Sequence, residues 1–264
     1  MKTTALRYYI SSIRTTLSGI KNPGVILPLL FKRSEGYAAR LQLKNGLIFL
    51  VRNLMDVWIV KETCLDRHYE RASLPLQDGW TVVDVGAALG DYAVWAACQV
   101  PAGRIIAVEP WPPSISLLRS NLEKNRVYNA EIYAGALSGS NGIARLSFQA
   151  NRAVQNTTAA QSQTQHSIEV KTLTLASLFE QFDVSKCDYL KMDCEGGEYD
   201  ILFSTTPQTL ACVQRLCMEI HDGVNGHNRH EMVAYLEGLG YRTRITPNPV
   251  HKNLAYLFAD KSTT

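Results

Sequence analysis

Asp84 to Asp91 reads DVGAALGD, directly after the apolar run Thr81-Val82-Val83 and eighteen residues ahead of Glu109, which closes a second apolar run from Arg104 to Val108. A parallel strand ending at Val85 must turn sharply into a helix. Gly86 and Gly90 suit that turn, because glycine takes φ > 0 without a steric penalty and leaves room for a ligand against the backbone. Glu109 then falls at the tip of the neighbouring strand, where a carboxylate accepts both hydroxyl hydrogens of a ribose. The pairing predicts a nucleotide-type cofactor site on an α/β sheet.

The spacing of the glycines selects among cofactors. A dinucleotide fingerprint is GxGxxG, whose second glycine lets the backbone touch a pyrophosphate. Here the pattern is GxxxG with Asp84 in front of it. S-adenosyl-L-methionine has no phosphate but carries an ammonium and a sulfonium, which a strand-tip Asp suits. The expected cofactor wall is Asp84, Gly86, Ala87 and Gly90 from the turn, Glu109, Pro110 and Trp111 from the second strand, and Asp193 from a later one. Trp111 can pack on adenine or serve as an ordinary core or surface tryptophan. The alternatives are a nicotinamide or flavin nucleotide, a non-catalytic nucleotide-binding module, and a glycine-rich turn with nothing bound.

At 264 residues the chain is long enough for one large domain with an appendage. Its 46% hydrophobic and 19% charged content is that of a globular protein. No apolar run approaches the roughly 20 residues of a transmembrane helix; GVILPLLF, 24–31, is short and broken by Pro28. The N-terminus lacks the apolar stretch and cleavage site of a signal peptide. None of the six cysteines forms a CxxC pair, so reduced structural thiols and a cytoplasmic location are expected, and a zinc site is not. A net charge of +3 says little, and no nucleic-acid partner is expected. The oligomeric state is not encoded in any legible feature.

Residues 1–80 read as a cap and 81–264 as a Rossmann-like domain. In the cap, helices are predicted over Tyr8 to Leu17 and Pro23 to Phe31. A hairpin turns at Asn45-Gly46, and a helix runs from Asp56 to Tyr69. From Thr81 strands and helices alternate, which predicts a doubly wound, mostly parallel, seven-stranded sheet. Its strands are 81–85, 104–108, 131–136, 187–192, 213–220, 241–245 and 254–259. Ser114 is the expected N-cap of the helix after Pro112-Pro113. The helix Arg229 to Leu239 carries Met232, Tyr235, Leu236 and Leu239 on one face. Segments 142–148 and 168–173 are extra extended pieces flanking a polar loop, 150–167, expected to be exposed and mobile.

Ligands of open α/β sheets bind outside the carboxyl ends of the strands. The fourth strand ends in KMDCEGGE, with Asp193, Glu195 and Glu198; the fifth ends in MEIHDG, with Glu219, His221 and Asp222. His221 or Asp193 can be the general base for an acceptor hydroxyl, with Glu195 beside them. Alternatively Asp193, Glu195 and Glu219 hold a divalent cation. A third reading leaves these carboxylates bonded to loop backbone and His221 a satisfied rim histidine.

With these residues in place, the chain resembles the FkbM family of S-adenosylmethionine-dependent methyltransferases. The resemblance runs from about Met55 to Phe258. It rests on MDVWIVKETCLDRHYE, VVDVGAALGDYAV, IIAVEPWP, AGALSGSNGIARL, TLTLASLF, YLKMDCEGGEYDIL and the closing MEIH. It implies a class I Rossmann-like methyltransferase fold and O-methylation of a hydroxyl on a sugar, polysaccharide or polyketide-type acceptor. Asp84, Gly86, Gly90 and Glu109 inherit cofactor roles, and Asp193, Glu195 and Gly196 fall on the family's second motif. The family often has Asn where this chain has Ala88, so any contact of that amide is lost here. The basic, partly apolar first 35 residues are expected to dock on the catalytic domain; peripheral contact with an anionic membrane is the alternative.

Overall fold

The structure, a computed structural model, describes residues 2–31, 38–148, 166–223, 226–248, 250–251 and 253–261. It begins with helix α1 (Lys2–Gly19), longer than the predicted helix, then a 3-10 turn and the short α2 (Ile26–Phe31). Strands β1 (Ala39–Gln42) and β2 (Ile48–Val51) pair antiparallel as expected. Their loop is three residues, 44–46, rather than two. Leu43 N–H donates to the Leu47 carbonyl, and Gly46 supplies the left-handed φ of +96° that such a loop requires.

The single helix expected over Asp56 to Tyr69 is broken. Helix α3 (Leu54–Lys61) is capped by Asn53, whose side chain accepts from Asp56 N–H. It passes into a π-turn, Glu62–Asp66, and Arg67 at φ +55° ends it before α4 (His68–Ala72). Period alone could not reveal this, because the π-turn preserves a helical pattern while rotating the residues after it.

The main sheet contains β3 (Thr81–Val85), β4 (Arg104–Val108), β5 (Ala130–Tyr133), β9 (Tyr189–Met192), β10 (Arg215–His221), β11 (Tyr241–Pro247) and β12 (Leu254–Lys261), in the order β11-β12-β10-β9-β3-β4-β5. Only β12 runs antiparallel, between β10 and β11. The chain moves outward from β3 to β5 and then returns to lay β9 on the other side of β3. The strand order therefore reverses between β3 and β9, where an open α/β sheet binds its ligand. A smaller sheet holds β6 (Ala136–Leu137), β7 (Gly142–Phe148) and β8 (His166–Leu173). The predicted third strand, 131–136, thus divides between two sheets. The expected mobile loop lies mostly outside the described residues.

Helix α5 (Asp91–Gln99) follows the glycine turn, and α6 (Pro112–Lys124) follows β4. Trp111, not Ser114, is the N-cap of α6, because a proline at the first helical position is already set to the helical φ. Two apolar clusters fill the sheet's faces. One joins Val82, Tyr92 and Trp95 with Leu41, Phe49, Val57 and Val60 of the N-terminal part. The other joins Val83, Val85 and Ile106 with Leu175, Leu190 and Met218. The described residues between Ile20 and Ala72 therefore share a core with the sheet. Asn121 of α6 and Asn125, its C-cap, fasten the hairpin edge: Asn121 accepts from Leu50 N–H at 2.6 Å and Asn125 from Ile48 N–H at 2.9 Å. Their amides also donate to Leu50 and Ile48 carbonyls, so side chains cover an exposed strand edge as a further strand would.

Candidate active site

A cavity of about 580 Å³ lies along the carboxyl edge of the sheet, between β3, β4, β9 and β10 and the N-terminal helices. Gly86, Glu109, Pro110, Trp111, Asp193, Glu195 and Glu219 line it. Asp84, Ala87, Gly90 and His221 stand outside its wall.

Gly86 has φ +78°, and a Cβ added to it would overlap the Asp193 carbonyl oxygen. The glycine is required by two crossing backbones, the exits of β3 and β9, in addition to whatever ligand approaches. Gly90, at φ +85°, is the N-cap of α5. Ala88 holds φ +44°, a left-handed conformation costing a non-glycine residue about 1–2 kcal/mol. Asparagine tolerates that region better, so the family's frequent Asn here has a backbone reason beside any contact of its amide. The Ala87 side chain is buried and its N–H is taken by the Val108 carbonyl at 2.9 Å.

Asp84 is fully buried and turned onto the α5 face, because Val83 and Val85 occupy the other. Its expected partner was the positive charge of a cofactor; its actual partner is Lys191, opposite it on β9, at 2.9 Å. Lys191 Nζ also donates to the Gly86 carbonyl at 3.0 Å. Burial opposes the Lys191 charge, but Asp84, Asp193 and Asp91 outweigh it and hold the ammonium protonated. This ion pair ties the glycine turn to β9.

Glu109 is buried, and its two oxygens accept from Ala88 N–H and Trp111 N–H, each at 2.8 Å. Burial pushes its pKa up to about 7, against the lowering effect of those two bonds. The bonds aim the carboxylate at the cavity and leave each oxygen a second lone pair for a ribose hydroxyl. Pro110 and Trp111 flank it, with Ala136, Leu137 and Leu146 adding apolar wall suited to a flat base. These residues fit the nucleoside of S-adenosylmethionine, and the carboxylates of Asp193 and Glu195 fit its ammonium.

The acidic rim divides into two groups. Asp193 accepts from the Tyr69 hydroxyl at 2.8 Å, joining the rim to α4. His221 Nε2 lies 3.4 Å from Glu195 and Nδ1 3.5 Å from the fully buried Glu198. Burial disfavours the His221 charge, yet the two carboxylates overcome it and push its pKa up to about 11. An imidazolium has no lone pair with which to take a proton, so this geometry gives His221 an orienting place rather than the expected basic one. Glu195, in the left-handed region at φ +53°, is held on the rim by this pair. Asp193, Glu195 and His221 offer atoms within 4.8 Å of one another, so the set that could gather a cation includes His221 in place of the expected Glu219.

Glu219 is different. It follows Met218, which pairs with Met192 just before Asp193, and it lies opposite Tyr256 of β12. Neither a hydrogen bond nor an ion pair engages it among the described residues. Burial, then Asp193, pushes its pKa up to about 8. Tyr8, Trp58, Glu62 and Tyr69 also line the cavity, as does Arg52, which is fixed by Asp56 at 2.9 Å. Sequence reasoning missed these residues and Lys191. Lys191 sits in the quoted KMD stretch, but the tyrosines and Trp58 carry no local signal for a pocket.

The family profile described as Methyltransferase FkbM domain matches residues 84–243. The chain belongs to the FkbM methyltransferase family. It is accordingly an S-adenosylmethionine-dependent methyltransferase, which sets aside the oxidoreductase and the non-catalytic module. The 31-O-demethyl-FK506 methyltransferase FkbM of Streptomyces tacrolimicus is 24% identical over 242 residues, 80% of this chain and 91% of that protein. The hexuronic acid methyltransferase AglP of Haloferax volcanii is 28% identical over 203 residues, 76% and 78% of the two chains. A solved methyltransferase FkbM from Methylobacillus flagellatus superposes with a TM-score of 0.49 at 12% identity, over 90% of this chain and 59% of that one.

Proposed function

We propose that this methyltransferase transfers a methyl group to a hydroxyl of a sugar, polysaccharide or natural-product acceptor. The observation that carries the reading is Glu219, a carboxylate that no hydrogen bond or ion pair engages among the described residues and that lines the same cavity as Glu109. Glu109, Pro110 and Trp111 bind the nucleoside, and Asp193 and Glu195 meet the ammonium. Bound there, S-adenosylmethionine supplies an already activated methyl group. Glu219 takes the proton of the acceptor hydroxyl, at an affinity for protons close to that of the medium. Tyr69 fixes Asp193, and His221 fixes Glu195, so that the reacting groups are aligned before the proton moves. The names of the two relatives support an oxygen acceptor on a small molecule or glycan.

Residues 1–80 act in this reading as a cap that closes the acceptor side. Six free cysteines suit a reducing, cytoplasmic setting. No helix of the described residues is long and apolar enough to cross a membrane. A divalent cation at Asp193, Glu195 and His221 is the second reading, favoured by their grouping. It requires His221 to give up the proton that Glu195 and Glu198 hold on it. Calorimetric titration with S-adenosylmethionine, then transfer of labelled methyl to neutral glycans and macrolides, tests the main reading. A methyl ether in the product supports it, and an N-methyl or methyl-ester product refutes it. Loss of activity on chelation, restored by Mg²⁺, moves the site to the second reading.

A further inference from the structure

Helix α1 uses one face to dock on the rest of the chain. Ser12 is buried and accepts from Lys61 Nζ at 2.7 Å, the Tyr8 hydroxyl donates to Glu62, and Ile20 enters the core just past the helix. The outward side carries apolar residues among the exposed Ser11, Arg14 and Ser18. Ile13 and Leu17, one turn apart, are 62% and 58% exposed. On α2, Leu29 is buried while Leu27 and Leu30 are 61% and 55% exposed. Single exposed apolar residues are ordinary, but six of the nine large ones among the described residues lie between positions 13 and 55. The remaining two of those six, Leu54 and Met55 at the start of α3, also line the cavity and so stand at its mouth. Both docked helices pack around α3 and the π-turn that follows it.

Basic residues accompany this stretch of sequence. Residues 1–34 contain six Lys or Arg and no Asp or Glu. Arg14 is exposed between Ile13 and Leu17, and Lys21 is exposed just after α1. Apolar side chains with basic neighbours are the chemistry that enters the headgroup boundary of an anionic bilayer. A second copy of the chain would bring like charges together at the same patch, and a nucleic acid would leave the leucines unused. We infer that the outer face of α1 and α2 is a membrane-docking surface for an anionic lipid bilayer, with the cavity mouth beside it. Docking on the catalytic part and contact with lipid are thus tasks of different sides of one helix. This inference does not depend on which acceptor is methylated.

The test is co-sedimentation of the full-length protein with vesicles of phosphatidylcholine alone and of phosphatidylcholine with phosphatidylglycerol. The expected result is binding to the anionic vesicles, weakened by salt and much weaker on the neutral ones. The double variant Ile13→Asp/Leu17→Asp should lower the partition coefficient at least about tenfold, as should Leu27→Asp/Leu30→Asp. Calorimetric affinity for S-adenosylmethionine, unchanged in either variant, shows that the fold survives. The inference is overturned if the wild-type protein stays in the supernatant with anionic vesicles, or if the folded variants bind as well as it does. A wild-type dimer that these substitutions dissociate, without vesicle binding, overturns it in favour of self-association.

Discussion

Glu109→Gln probes the ribose contact and the strut together. Each Glu109 oxygen accepts a backbone N–H at 2.8 Å. A glutamine keeps one acceptor and turns the other into a donor facing an N–H. One charge-assisted bond is lost and one N–H is left without a partner, a cost of about 1–3 kcal/mol, or about 2–12 °C in Tm for a chain of this size. The ribose hydroxyls lose a charged acceptor, worth about 1.5–3 kcal/mol, which raises the cofactor Kd about ten- to a hundredfold. Isothermal titration with S-adenosylmethionine and S-adenosylhomocysteine, beside scanning calorimetry, reads both effects. pH adds a sign. The wild-type carboxyl rises from 4.5 to about 7 on folding, so its contribution to stability falls as pH rises through that window. The stability gap between wild type and variant should therefore narrow from acid to neutral pH. A Kd within twofold of wild type, with a lowered Tm, would show that Glu109 is only a strut and would end the ribose assignment.

Glu219→Gln should lower kcat by about 10²–10⁴-fold with little change in cofactor affinity. Wild-type activity should rise with pH through about 8, as the Glu219 carboxyl ionises, and this limb should vanish in the variant; a flat wild-type profile counts against Glu219 as the base. His221 gains affinity for its proton on folding, from 6.5 to about 11, so its stabilisation is full below 6.5 and lost as pH rises toward 11. The Tm deficit of His221→Gln should accordingly be larger in mild acid than in strong base, and an equal deficit at both would dismiss the ion pairs. Gly86→Ala combines a left-handed φ of +78° with overlap on the Asp193 carbonyl. It should cost about 2–5 kcal/mol, from about 1–2 for the dihedral and about 1–3 for the overlap, and a wild-type Tm would refute that account.

Much of the sheet was legible because its signals are local. Ile105 to Val108 is a continuous apolar run and Val82 to Val85 one interrupted only by Asp84, as strands buried on both faces tend to be, and Gly86 and Gly90 both take the left-handed φ that the sharp turn requires. The α3 break at the π-turn was illegible, since Glu62 to Asp66 keeps a helical pattern through it. Ser114 looked like a cap because its side chain can serve as one; Pro112 decided otherwise by its fixed φ.

The site divides along the same line. Sequence by itself placed Glu109 at a strand tip and Asp193 at another, because a carboxylate just after an apolar run in an alternating α/β chain has only one rim to occupy. It could not tell which face of β3 Asp84 takes, because that depends on Val83 and Val85 packing against helices far along the chain. Nor could it say that Lys191 would meet Asp84, a choice made by the register of β3 against β9. The separate fates of His221 and Glu219 also belong to tertiary structure. Two residues apart on one strand, they carry similar promise in sequence. One meets Glu195 and Glu198 and is held as a cation, while the other lines the cavity with no ion pair among the described residues, because Coulomb interactions act through distances that only the folded chain sets.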